Sequence, residues 1–184
     1  MQISETLFNL PPLKNAALTI GTFDAVHLGH QHIFQELKKR GAPVVLTFSN
    51  HPLETLNPLI TPPPILSLPE KLDLFKTFGI ELTILLPFTK TLAQTPYDLF
   101  IKNLHAALPF SSLVLGKDAR LGAHAAGTPD KIDLLAKTIG FETFFCDKLK
   151  IDSKIISSSQ IRVFIQNNQI DQAQQWLGHS KGLN

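Results

Sequence analysis

Two histidines three residues apart, His27 and His30, close the stretch GTFDAVHLGH at residues 21–30, where a short apolar run gives way to a polar segment with helical spacing. Residues at i and i+3 share one helix face. A helix starting near Leu28 would therefore set both imidazoles beside its unpaired first-turn N–H groups and the positive end of its dipole. Ring and backbone donors gathered in this way suit a polyphosphate. Gly29 between them leaves the backbone open to close approach by a nucleotide. Taken alone, H-x-x-H is more commonly a surface pair without a role. It is also a poor zinc site, because two ligands need completing and Asp24 is the one nearby candidate.

A second group lies far along the chain in ISSSQIR, where Ser157, Ser158 and Ser159 stand at a helix start one turn before Arg162. Hydroxyls and a guanidinium there would grip phosphates, although a serine cap followed by an arginine is an ordinary pattern. The chain has only three arginines, Arg40, Arg120 and Arg162, so a buried anion has few partners to choose from.

The elements that must bring these groups together alternate regularly. Apolar runs rich in Val, Ile, Leu and Phe predict buried strands at Ala17 to Thr22, Val44 to Phe48, Leu82 to Phe88, Leu113 to Leu115 and Phe141 to Cys146. Helical spacing predicts helices at His30 to Lys39, Glu70 to Phe78, Pro96 to Leu108 and Lys131 to Ile139, with Gly79 and Gly140 placed to end two of them. This predicts an α/β fold: a single doubly wound, Rossmann-like parallel sheet of about five strands, helices on both faces, and a C-terminal helical segment from the serines to about Gly178. Ligands of such sheets bind beyond the carboxyl ends of the strands, where GTFDAVHLGH falls. Between Ser49 and Pro69 lie six of the thirteen prolines. So long a connection reads as either a ligand-covering flap or a surface excursion.

The 184 residues, 43% of them apolar, are enough for one domain spanning 1–184. A net charge of +2 without a basic run argues against nucleic acid as a partner. Cys146 is the only cysteine, which excludes an internal disulfide and a cysteine-rich zinc site; it reads as a buried apolar side chain. The start MQISETLFNLPPLKN lacks signal-peptide character and LTILLPF is too short to span a bilayer, so no membrane association and a cytoplasmic location are expected.

GTFDAVHLGH after ALTI resembles the H-x-G-H signature of the nucleotidylyltransferase superfamily, and in particular the FMN adenylyltransferase module of bacterial FAD synthetases. TFSNHP is similar to that family's T-F-x-P-H-P, with Asn50 replacing the first proline. EKLDLFKTFGIELTILLPF resembles its helix and third strand, LGKDARLGAHAAG its G-x-D-F-x-F-G loop, ISSSQIR its I-S-S-T-x-I-R, and AQQWLG its closing A-x-x-x-L-G. The motifs run in register over about residues 17–178.

The resemblance implies transfer of AMP from ATP to FMN with Mg2+. It implies catalytic roles for His27, His30, Ser158 and Arg162 on the phosphates. Substrate binding is implied for Gly21, Thr22, Phe23, Asp24, Gly29, Thr47, His51, Pro52, Asp118, Ser157 and Ser159, with no metal ligands assigned. Ala119 and Leu121 depart from the family's aromatics, and Ala25 stands where glycine is common. His32, His105 and His179 are expected on exposed helix faces or ends, and His124 has no assignment. The family usually continues into a riboflavin kinase module, which the motifs of this chain do not include; that activity is expected in another domain or enzyme. The alternatives are nucleotidyl transfer to another phosphorylated acceptor, such as phosphopantetheine, and a flavin- or nucleotide-binding module without catalysis.

Overall fold

A computed structural model describes residues 1–183. Six strands, all parallel, form the main sheet: β1 (Gln2–Ser4), β2 (Ala16–Ile20), β3 (Ala42–Phe48), β4 (Leu82–Leu86), β5 (Phe110–Gly116) and β6 (Glu142–Cys146), in the order β1-β4-β3-β2-β5-β6. The expected five are present, and β1 is the sixth. Three largely exposed residues on the sheet edge leave no apolar pattern to read.

The helices between the strands are α1 (Leu28–Arg40), α2 (Pro52–Leu56), α3 (Leu68–Thr77), α4 (Lys90–Gln94), α5 (Tyr97–Ala107) and α6 (Pro129–Ile139). A short hairpin, β7 (Lys150–Ile151) with β8 (Lys154–Ile155), precedes α7 (Ser158–Gln166) and α8 (Ile170–Leu177). Alternation along the strands divides the core between two faces. Ala17, Val45 and Val114 meet Phe34, Phe75, Ile161 and Trp176 on one face, while Leu18, Leu46 and Leu113 meet Ile101, Leu104 and Ile132 on the other. Gly79 and Gly140 take positive φ, 78° and 101°, after α3 and α6, as expected of helix-ending glycines.

Two predicted strands stop early, β2 at Ile20 instead of Thr22 and β4 at Leu86 instead of Phe88. Side chains take over the backbone groups released: Thr47 Oγ1 donates to the Thr22 carbonyl, and Asn50 Oδ1 accepts from the Phe88 N–H at 2.8 Å. Asn50 thus has a structural use where the family pattern has proline. The proline-rich excursion is folded, with α2 and a 3-10 turn at Pro58–Ile60, and Ile65 and Leu66 are buried. The strand order reverses about β2, which is flanked by β3 and β5, so the turn from β2 into α1 opens at the switch point.

Candidate active site

The turn after β2 is tightly specified. Gly21 lies so close to the Phe23 ring that a Cβ there would meet it at 2.9 Å. Phe23 and Val26 both hold positive φ, 49° and 44°, which is costly for aromatic and β-branched residues. Phe23 is buried against Phe34 and Phe75 and presents its ring edgewise to His30.

His27 caps α1, its Nδ1 accepting from the His30 N–H at 3.3 Å. A nitrogen that accepts carries no proton, so the neutral ring bears its hydrogen on Nε2. The two imidazoles stack 3.7 Å apart and 12° from parallel. Burial pushes His27 down to about 4, partly offset by a backbone hydrogen bond and reinforced by the charge of His179. Burial, then the His27 charge, holds His30 well below the ordinary imidazole range. Both rings are therefore neutral N–H donors at pH 7 in the unliganded protein, and an arriving polyanion would favour their protonation. Gly29 lies against the His27 ring, where an added Cβ would approach to 3.1 Å.

His30 lines a cavity of about 350 Å3 together with Thr22, Asp24, His51, Ser158, Ser159 and Arg162; His27 stacks behind it. Arg162 forms an ion pair with Asp24, both about nine-tenths covered, and donates from Nε to the Pro63 carbonyl at 3.0 Å. One guanidinium thus joins α7, the histidine turn and the excursion. Ser157 caps α7, its hydroxyl oxygen accepting from the Gln160 N–H. His51 caps α2 through Nδ1, and burial lowers its pKa.

A second cavity of about 760 Å3 adjoins the first and shares Thr22 with it. Its wall is mainly apolar, including Phe48, Leu56, Phe88 and Phe100, with Gly21, Pro52, Ala119 and Leu121 as further lining and Lys90 and Arg120 as charged members. Four proposed binding residues are in neither lining: Gly29, which lies against the His27 ring, Ser157, which caps α7, and Thr47 and Asp118. Thr47 is fully buried beneath Thr22. Asp118 is exposed and pairs with Lys148 at 2.7 Å.

Lys71 was not legible as part of the site. Its ammonium is buried and donates to the Thr22 carbonyl, Thr47 Oγ1 and the Phe48 carbonyl at 3.3, 3.3 and 3.0 Å. Burial pushes it down to about 8, against the opposing pull of Asp24. The available signal was its place on the apolar stripe of α3, three and four residues before the buried Leu74 and Phe75. The expectation for three other histidines is corrected: His32, His105 and His179 are half-buried, not exposed. His105 stacks on Phe141 and meets the edge of Phe110, and His179 reaches the Ala25 carbonyl. Cys146 is buried as expected, with its thiol pushed up to about 11.

Among the described residues no group of three or more His, Cys, Asp or Glu side chains is arranged to hold a metal, and Asp24 is the one carboxylate lining the smaller cavity. No helix among them is long and apolar enough to cross a membrane.

The FAD synthetase family matches residues 10–160, most of the chain, including both histidines. The chain belongs to the FAD synthetase family. It is 30% identical to an FAD synthetase of Listeria monocytogenes over 192 residues, covering 97% of this chain and 75% of that protein. It is 29% identical over 186 residues to a bifunctional riboflavin kinase/FMN adenylyltransferase of Buchnera aphidicola, of which it spans 60%. Among solved structures, a protein from Streptococcus pneumoniae titled a macrolide-efflux protein superposes with a TM-score of 0.83 over 96% of this chain and 61% of its own, at 22% identity. A pantoate-beta-alanine ligase from Francisella tularensis does so at 0.62 and 15% identity, over 91% of this chain and 77% of its own. These two likenesses establish the fold. Arg162 and His179 fall beyond the segment matched to the FAD synthetase family.

Proposed function

We propose that this chain transfers the AMP moiety of ATP to the phosphate of FMN, giving FAD and pyrophosphate. The carrying observation is the pair of adjoining cavities of different character: a small, more polar one at the N-termini of α1, α2 and α7 and a large, mainly apolar one, with Thr22 in the wall of both. The small cavity suits the triphosphate. The large one accepts a fused aromatic ring system, which favours a flavin over a slender acceptor such as phosphopantetheine.

A phosphate oxygen of FMN attacks the α-phosphorus of ATP, the bond from that phosphorus to the bridging oxygen breaks, and pyrophosphate leaves with the electron pair. No covalent group from the protein is needed; alignment and charge stabilisation suffice. His30, backed by His27, donates to oxygens on which charge grows. Arg162 has donors left over after Asp24 and Pro63 are served, and with the Ser158 and Ser159 hydroxyls it holds the departing end. Mg2+ bound with the polyphosphate would offset its charge, and Asp24 is the residue placed to meet it. We assign the reaction to the cytoplasm, with FMN supplied by a riboflavin kinase domain or enzyme outside residues 1–184.

Purified protein with ATP, FMN and Mg2+ should form FAD and pyrophosphate in equal amounts, with riboflavin a poor acceptor because it lacks the attacking phosphate. FMN binding without pyrophosphate release at any Mg2+ concentration would instead establish a binding module.

A further inference from the structure

The turn that carries the histidine pair is held from the far end of the chain. Val26, fully buried, keeps φ at 44°, and such a conformation persists only where the surroundings over-determine it. Two side-chain contacts flank it. Gln31 on α1 donates from one amide nitrogen to the Val26 carbonyl at 2.9 Å and to the Leu177 carbonyl at 2.7 Å, bridging the turn to the end of α8. His179 lies 3.0 Å through Nε2 from the carbonyl of Ala25. A carbonyl only accepts, so that nitrogen carries the proton, which leaves Nδ1 as an acceptor, buried and unpartnered among the described residues. The strap from Leu177 to His179 fits closely. Gly178 adopts φ 69°, and a Cβ on it would strike Leu28 at 2.6 Å. Two residues on, Lys181 forms an ion pair with Asp73 of α3.

We propose that His179 is a positioning residue for adenylyl transfer: by fixing the Ala25 carbonyl it holds the strained turn, and through it the cap and ring orientation of His27 behind His30. His179 is in neither cavity lining. Its contribution rests on the adenylyltransferase reading, but its mechanical role does not. An interaction that orients the histidines for the transition state should lower kcat and leave KM nearly alone.

His179→Ala is expected to lower kcat for FAD formation by about tenfold or more with KM for ATP and FMN within about threefold, because a small misplacement of positioned donors is costly. His179→Gln, whose amide nitrogen can reach the same carbonyl, should recover most of the loss. In protein labelled with 15N in its histidine rings, the His27 signals of the Ala variant should move from the single Nε2–H tautomer toward a mixture, and those of the Gln variant should stay. Unchanged kcat in His179→Ala, a Gln variant no better than the Ala variant, or unmoved His27 signals would each overturn the proposal. If the wild-type chain made no pyrophosphate from ATP and FMN, the adenylyltransferase reading would fall, while the ring signals would still decide whether His179 positions His27.

Discussion

The two cavities differ in what fixes their walls. The polar framework of the smaller one is held by contacts within the protein: Arg162 with Asp24 and Pro63 and His51 with the helix it caps in the wall, His27 with the His30 backbone and Ser157 with α7 just behind it, while His30 Nδ1 has no partner among the described residues. Its geometry is set before a ligand arrives, which is what stabilising a developing charge requires. The larger one is built from side chains that pack by shape, with Ala119 and Leu121 in its wall and Leu56 more than half exposed on the folded excursion. Substitution in the first should therefore be expensive and specific to chemistry, whereas the second should tolerate change and register it as affinity.

The largest effect should come from His30→Ala, with a loss in turnover of about 100-fold or more, the scale of removing one preorganised donor. His27→Ala should cost less, since His27 stands behind His30. Near-normal steady-state FAD formation in both variants would reduce the pair to structural caps. The histidines also set a pH signature. Their folded pKa values are depressed, so the unfolded chain takes up protons from about pH 6.5 downward while His27 resists until about 4. Stability is then lost as pH falls across that window. Urea midpoints at pH 7 and pH 5 should differ more in the wild type than in a His27→Gln, His30→Gln variant.

Lys71→Met should come next. It leaves the Phe48 carbonyl without its lysine donor, a cost of about 1–3 kcal/mol for a buried group, removes one of the two side-chain donors to the Thr22 carbonyl, and loosens the border between the cavities. A clearly lowered melting temperature with weaker FMN and ATP binding is expected. Because burial holds Lys71 to about 8, wild-type activity should also fall as pH rises through that value, and this limb should vanish in the Met variant.

The larger cavity should respond more gently. Ala119→Phe with Leu121→Phe should tighten FMN by up to about tenfold, the worth of an added stacked or packed ring, with ATP affinity unchanged. A lower melting temperature and weaker flavin quenching would show that the wall had already closed around the smaller side chains. Smallest of all, Asp118→Asn should change the Kd for FMN by less than about twofold, since its carboxylate pairs with exposed Lys148 outside both linings.

The same contrast explains what could be read from the sequence. His27 and His30 were legible because a strand-to-helix junction advertises itself through local periodicity, and Gly79, Gly140 and the serines of α7 mark their helix ends just as locally. The short elements α2 and α4 were hidden in proline-rich or polar connections without a buried stripe. Lys71 and His179 were missed because their meaning comes from partners far away in the chain, at Thr22, Phe48 and Ala25. Asp118 occupies its motif position, yet its direction is decided by Lys148, which no local pattern announces.

The central claim, that two separate cavities meeting at Thr22 take the two substrates, is tested most directly by titrating FMN and a non-hydrolysable ATP analogue into Leu56→Glu. This side chain lines only the larger cavity and is 59% exposed, so the fold should survive the change. The account predicts that FMN affinity falls by about tenfold or more, as a carboxylate enters an apolar wall, while the analogue binds as to the wild type. Loss of analogue binding with FMN affinity retained would contradict it.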